Sequence, residues 1–105
     1  MNELSASEWD IVRNISGELT RRGVDRNELG KAVSFFRQDR SKDRFLILLD
    51  RLPNSEFIRS NRTREYFEHI HRVCSQQLAE LDDERALDVV SWAFRLMSYY
   101  QMRRI

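Results

Sequence analysis

Arg59, Arg62 and Arg64 fall within six residues of one another in FIRSNRTREYFEHI, Phe57 to Ile70, directly before an aromatic run. A guanidinium presents a planar fork of donors that matches phosphate oxygens, and the free amides of a helix start add to such a grip. Arg37, Arg40, Lys42 and Arg44 form a second cluster around RQDRSKD, Arg37 to Asp43. Two basic helix junctions of this kind suit sequence-independent contact with a nucleic-acid backbone. The same residues also suit the solvated ends of ordinary helices, with Asp39 and Asp43 neutralising the second cluster.

Other chemistry finds little support. His69 and His71 stand two apart and point to different faces of a helix. His71 and Cys74 stand three apart, but the chain holds no further His or Cys to complete a structural zinc set. Cys74 falls on an apolar stripe, where a thiol acts as a small hydrophobe. Neither a Gly-x-Ser-x-Gly elbow nor a Gly-rich phosphate loop occurs. Asp82, Asp83 and Glu84 are accounted for by helix capping. No catalytic residue, metal site or cofactor is expected, and binding is the remaining role.

Composition narrows that role. One domain is expected over residues 1–105, since the chain is long enough for a single core only. Sixteen Arg stand against two Lys, yet the net charge is +1. The excess is local: residues 37 to 64 carry eight basic and four acidic side chains, between mildly acidic flanks. A positive middle is a footprint of nucleic-acid contact. The longest apolar run, FLILL at Phe45 to Leu49, is far below the ~20 residues of a membrane span. MNELSASEWD lacks a secretory pattern and one Cys permits no internal disulfide, so a cytoplasmic location is expected.

The elements that must position these side chains are legible as capped helices. Ser5 and Glu8 are spaced as a capping box, with Leu4 and Trp9 as its staple. Trp9, Val12, Ile15 and Leu19 follow at helical spacing, and Gly23 is a left-handed stop. Asp25 and Glu28 repeat the box for a second helix buried through Leu29, Ala32, Val33 and Phe36. Ser41 caps a third helix carrying Phe45, Leu49 and Leu52, which Pro53 ends. Phe57 and Ile58 pin the loop that follows. A fourth helix starts near Ser60 or Asn61 and continues its apolar steps to Leu81. Asp82 and Asp83 open the fifth, whose wide apolar arc through Leu87, Val90, Phe94 and Met97 predicts a central helix. The expected fold is all-α: a compact bundle of about five helices with short connections.

On that fifth helix Trp92 and Tyr99 share a face, with Arg95 between them. Aromatics with Arg are the usual anchors of protein contacts, so Trp92, Arg95 and Tyr99 are a candidate protein interface; the alternative is a second buried face. LDVVSWAFRLMSYYQMRR, Leu87 to Arg104, resembles the closing helix of the small helical subunits of class 1 CRISPR effector complexes. In type III members the chain tends to end in an apolar helix with an aromatic-rich last turn, here Ser98-Tyr99-Tyr100-Gln101. KAVSFFR, Lys31 to Arg37, is a loose counterpart of their early basic-aromatic stretch.

That resemblance implies a non-catalytic subunit of an RNA-guided antiviral complex. It would contact the guide RNA–target duplex or a displaced single strand and pack against neighbouring subunits, including copies of itself. Arg59, Arg62 and Arg64, then Arg37, Arg40, Lys42 and Arg44, would make the backbone contacts. A protein-interaction adaptor, such as a death-fold-like helical module in a bacterial defence or signalling system, is the alternative. A short sixth helix within Asn54 to Arg59 would favour it. Salt separates the two, because phosphate contacts weaken steeply with added salt.

Overall fold

Ser5 opens the first helix as its spacing to Glu8 requires. Its hydroxyl accepts the Glu8 amide at 3.2 Å, and the Glu8 carboxylate accepts the Ser5 amide at 2.8 Å. Both halves of the capping box are therefore present. The computed structural model describes residues 3–56 and 58–102. α1 spans Ala6–Arg21, and Gly23 follows at φ 73°, where an L side chain would be strained. α2 spans Arg26–Asp39, α3 Lys42–Arg51, α4 Asn61–Gln77 and α5 Asp83–Met102. No strand occurs among the described residues.

Three local expectations need correction. The second capping box does not form: the Asp25 carboxylate accepts the Asn27 amide at 2.8 Å, while the Glu28 amide bonds the Asp25 carbonyl. Glu28 turns instead to Lys31, one turn along α2, at 3.3 Å. α3 does end before Pro53, at Arg51, but not because Leu52 is pushed out of helical geometry, since Leu52 keeps φ −54° and ψ −43°. The chain tightens into a 3-10 turn, Leu52–Asn54, with proline near its start, where a missing N–H costs nothing. α4 stops at Gln77 rather than Leu81. Leu78 is buried and Leu81 half-buried beyond it, held by a turn in which the Leu81 amide donates to the Leu78 carbonyl. Core-directed side chains continue through the turn, so the apolar spacing outlasts the helix. Phe57 lies outside the described residues; Ile58 packs against the core as expected.

α5 is the central helix. It buries Ala86, Leu87, Val89, Val90, Ala93 and Met97, and packs against α1, α2 and α3. Its small residues bring neighbours close. Conversely, Gly30 on α2 leaves room for the Phe94 ring: a Cβ there would stand 2.8 Å from the ring edge. α4 packs against α1, α2 and α3. The molecule measures 38 × 35 × 21 Å, and its least dimension is about two helix diameters, so the bundle has two layers. Phe36 and Phe45 stack at 4.4 Å between α2 and α3, and Trp9 and Trp92 meet at 5.2 Å between α1 and α5. No described helix is long and apolar enough to cross a membrane.

Candidate functional site

The two basic clusters divide once the bundle is assembled. Ser60 caps α4 by accepting the Thr63 amide, which leaves Arg59 and Arg62 exposed around its first turn. Arg64 turns back instead. Its Nη2 donates to the Ile58 carbonyl at 3.0 Å, and its buried Nε has no partner. Arg64 therefore straps the preceding loop to α4 rather than facing solvent.

The second cluster splits in the same way. Lys42 sends its ammonium to the end of α4, donating to the carbonyls of Leu78, Ala79 and Leu81 at 3.2, 3.2 and 2.5 Å. It acts as a cationic cap for a helix C-terminus, where unsatisfied carbonyls and the helix dipole both favour positive charge. The Lys42 amide donates to Asp83 Oδ1 at 2.9 Å, so the α4–α5 turn and the start of α3 cap each other. Arg44 pairs with Asp39 at 2.9 Å. Arg37 and Arg40 remain exposed. Arg40 takes the left-handed conformation, φ 56° and ψ 24°, as the C-cap of α2.

Ion pairing is distributed unevenly along the chain. Among the described residues one ion pair, Arg44–Asp39, lies wholly within residues 37 to 64. Arg13, Arg21, Arg22 and Arg85 elsewhere each hold a carboxylate. Among the described residues Arg37, Arg40, Arg51, Arg59 and Arg62 hold none, and outside the middle neither do Arg26, Arg72 and Arg95. Arg44 apart, the exposed arginines of the positive middle are thus unneutralised among the described residues.

These cations do not form one patch. Arg37 follows Phe35 by two residues, so it projects about 200° around α2 from it. On the Phe35 side, two apolar depressions flank the exposed Phe35 ring. One, of about 350 Å³, is lined by Lys31, Leu52, Ile58 and Arg59 among others. The second, of about 280 Å³, is lined by Arg44, Ile47, Leu48 and Arg51. Phe35 belongs to KAVSFFR, but α2 periodicity places its neighbour Phe36 in the core. Phe35, Ile47 and Arg51 were not among the expected site residues, whereas Arg44 and Arg59 were expected as phosphate contacts. The available signal was Ile47 and Phe35 falling outside the buried stripes of their helices.

The α5 strip is also divided. Trp92 is half-buried against Trp9, and the Arg95 guanidinium lies 4.8 Å from the centroid of the Trp92 ring as a cation–π contact. Tyr99 is exposed and its ring is 6.0 Å from Tyr100. Trp92 is therefore a core-edge residue, while Arg95 and Tyr99 reach the surface.

The groups weighed for catalysis are placed apart. Cys74 is fully buried and burial pushes its thiol up to about 12, which keeps it protonated. His69 Nδ1 lies 3.2 Å from Arg22 Nη1; a guanidinium only donates, so this nitrogen accepts. Among the described residues no three His, Cys, Asp or Glu side chains gather into a metal-ligating group. Comparison with protein-family models, curated proteins and solved structures gives no match.

Proposed function

We propose that this chain is a non-catalytic helical subunit that adds sequence-independent contacts to a nucleic-acid backbone within a larger assembly. The role is the one implied by the resemblance of α5 to small subunits of class 1 CRISPR effector complexes. Its partners on this reading are a guide RNA–target duplex or a single strand, together with neighbouring subunits. The observation that carries it is the group of exposed arginines in the positive middle, Arg37, Arg40, Arg51, Arg59 and Arg62, that have no carboxylate partner among the described residues. Arg40 adds to this support. It holds a backbone conformation that favours glycine, and such strain is a pointer to function when the side chain is long, charged and exposed. Lys42 and Arg64 drop out of the contact set, because both serve the fold.

The test is fluorescence anisotropy with a labelled single strand and an RNA–DNA duplex, at low and physiological salt. The variant is Arg37→Glu/Arg40→Glu/Arg62→Glu, three exposed positions. Salt-sensitive binding is expected, with the variant losing most of it and flattening the log–log salt slope by about 0.7 to 0.9 per lost phosphate contact. Absence of binding at low salt, or binding indifferent to these changes, overturns the reading.

The protein-interaction adaptor is the second reading, and the apolar depressions beside Phe35 favour it. The short sixth helix within Asn54 to Arg59 that would have strengthened a death-fold comparison is not seen: among the described residues of that stretch only Asn54 is helical, as the last residue of the 3-10 turn.

A further inference from the structure

We infer that the groove around Phe35 docks an acidic amphipathic helix of a partner protein. Phe35 is 44% exposed and Ile47 50% exposed, facing solvent from α2 and α3. Each apolar depression beside Phe35 has room for a side chain, and Phe35 is the ridge between them. A ligand with apolar side chains one helical turn or two apart places one in each depression, which is how helices are read by grooves. The walls are α2, α3 and the connection that holds Ile58 and Arg59, and no strand occurs among the described residues, so an added strand has no sheet edge to pair with.

Charge selects the sign of the occupant. Lys31 and Arg44 at the rim are neutralised by Glu28 and Asp39. Arg51 and Arg59, at opposite ends, have no ion pair among the described residues. The groove therefore carries two unneutralised cations around an apolar floor, the complement of a helix with an apolar stripe and flanking Asp or Glu. Ile47, Leu48, Leu52 and Ile58 give the depressions aliphatic walls that suit side chains, while the exposed Phe35 ring is a face on which a base would also stack. A second copy fits less well. Among the described residues the other exposed apolar group is Tyr99, Tyr100 and Met102, and the stretch Leu96 to Met102 that carries it holds no Asp or Glu to meet Arg51 and Arg59.

The test is selection from a displayed library of random peptides about 16 residues long, some four helical turns, on the whole chain. Phe35→Ser serves for counter-selection. Selected peptides are expected to share apolar residues at i, i+4 and i+7 with an excess of Asp and Glu. The affinity of the best synthetic peptide should fall about tenfold or more in Phe35→Ser/Ile47→Ser and in Arg51→Glu/Arg59→Glu. It should be unchanged in Arg13→Glu, which lies on α1. Circular dichroism melting confirms that these surface variants fold. Failure to enrich, enrichment of basic peptides, or binding indifferent to Phe35 and Ile47 overturns the inference. Sedimentation showing self-association that Phe35→Ser abolishes assigns the groove to a second copy and overturns it too. Displacement of the peptide by an oligonucleotide but not by its acidic relatives gives the groove to nucleic acid.

Discussion

Arg85 grips Glu8 with two prongs across most of the chain: Nη2 lies 2.6 Å from Oε1 and Nε 2.7 Å from Oε2. Glu8 simultaneously caps α1, and Arg85 Nη2 also reaches the Glu3 carbonyl at 3.2 Å. The pair thereby fastens the N-terminus of α1 to the first turn of α5. Parallel forks of this kind are the strongest side-chain ion pairs. Glu8→Ala and Arg85→Ala are each expected to lower Tm well beyond Arg13→Ala, which removes the exposed Arg13–Asp10 pair. The double variant should be less destabilised than the sum of the singles, as a double-mutant cycle by thermal melting would show. Strict additivity would mean that the two side chains are not coupled.

The same pair sets an acid limit. The Arg85 hydrogen bonds, followed by the Ser5 amide, hold the Glu8 carboxyl at about 2 against an ordinary 4.5. The folded chain therefore binds fewer protons here than the unfolded chain does between those values. The stabilisation is complete above the unfolded value and drains away as pH falls from about 4.5 towards 2. Glu18, held below its usual range by Arg21 and Arg22, acts in the same direction. Melting temperatures across this interval should fall more steeply for the wild type than for Glu8→Gln. Parallel curves would show that the carboxylate is not stabilised by folding.

Lys42 is a third fastening. Its three carbonyl acceptors belong to Leu78, the C-cap of α4, and to Ala79 and Leu81 in the turn beyond it. Lys42→Met keeps the stem and removes the donors, leaving those carbonyls without their cation. A loss of about 1–3 kcal/mol is expected in denaturant unfolding. Lys42→Arg should not restore it, because three converging acceptors suit a compact ammonium better than a planar fork. Full stability in Lys42→Met would return this side chain to the candidate phosphate contacts.

How much of this was legible depended on the distance between partners. The five helices were, because caps and periodicity act within a few residues: Ser5 with Glu8, Ser41 with Arg44, Asp82 with Arg85. The end of α4 was not, because Leu78 and Leu81 keep the apolar period through a turn. Nor does any local pattern show that Gln101 clamps the α1–α2 turn, donating to the Val24 carbonyl and accepting the Arg26 amide, each at 3.1 Å. The same limit hid the split in the basic clusters. Sequence spacing groups Lys42 with Arg40 and Arg64 with Arg62, but tertiary packing turns one of each pair inward. Periodicity places Phe36 on the buried stripe of α2 and Phe35 beside it, but only the packing of α3 and the 52–60 connection shows that the Phe35 ring is left exposed between two depressions.

Cys74 offers a reporter of the whole bundle. Its thiol is buried within α4 and its pKa is pushed up to about 12 by desolvation. The thiolate is the reactive form, so modification by a disulfide reagent near neutral pH requires opening of the structure. Labelling should be slow in buffer, become fast in denaturant, and track the unfolding curve. Fast labelling in buffer would mean that α4 opens locally far more often than its burial implies.

Arg40 provides the sharpest link between fold and proposed role. At φ 56° its Cβ crowds the backbone, a cost of about 1–2 kcal/mol for an L residue that glycine does not bear. Arg40→Gly removes that cost but adds freedom to the unfolded chain. A net gain of about 0.5–1 kcal/mol is expected, a rise of several degrees in Tm. Arg40→Ala keeps a Cβ and should bring no such gain. If Arg40 touches phosphate, the glycine variant should bind a labelled strand more weakly and with a shallower salt slope, while melting higher. Stability and binding then move in opposite directions from one substitution. Loss of stability in Arg40→Gly would instead give this side chain a structural role and remove it from the proposed interface.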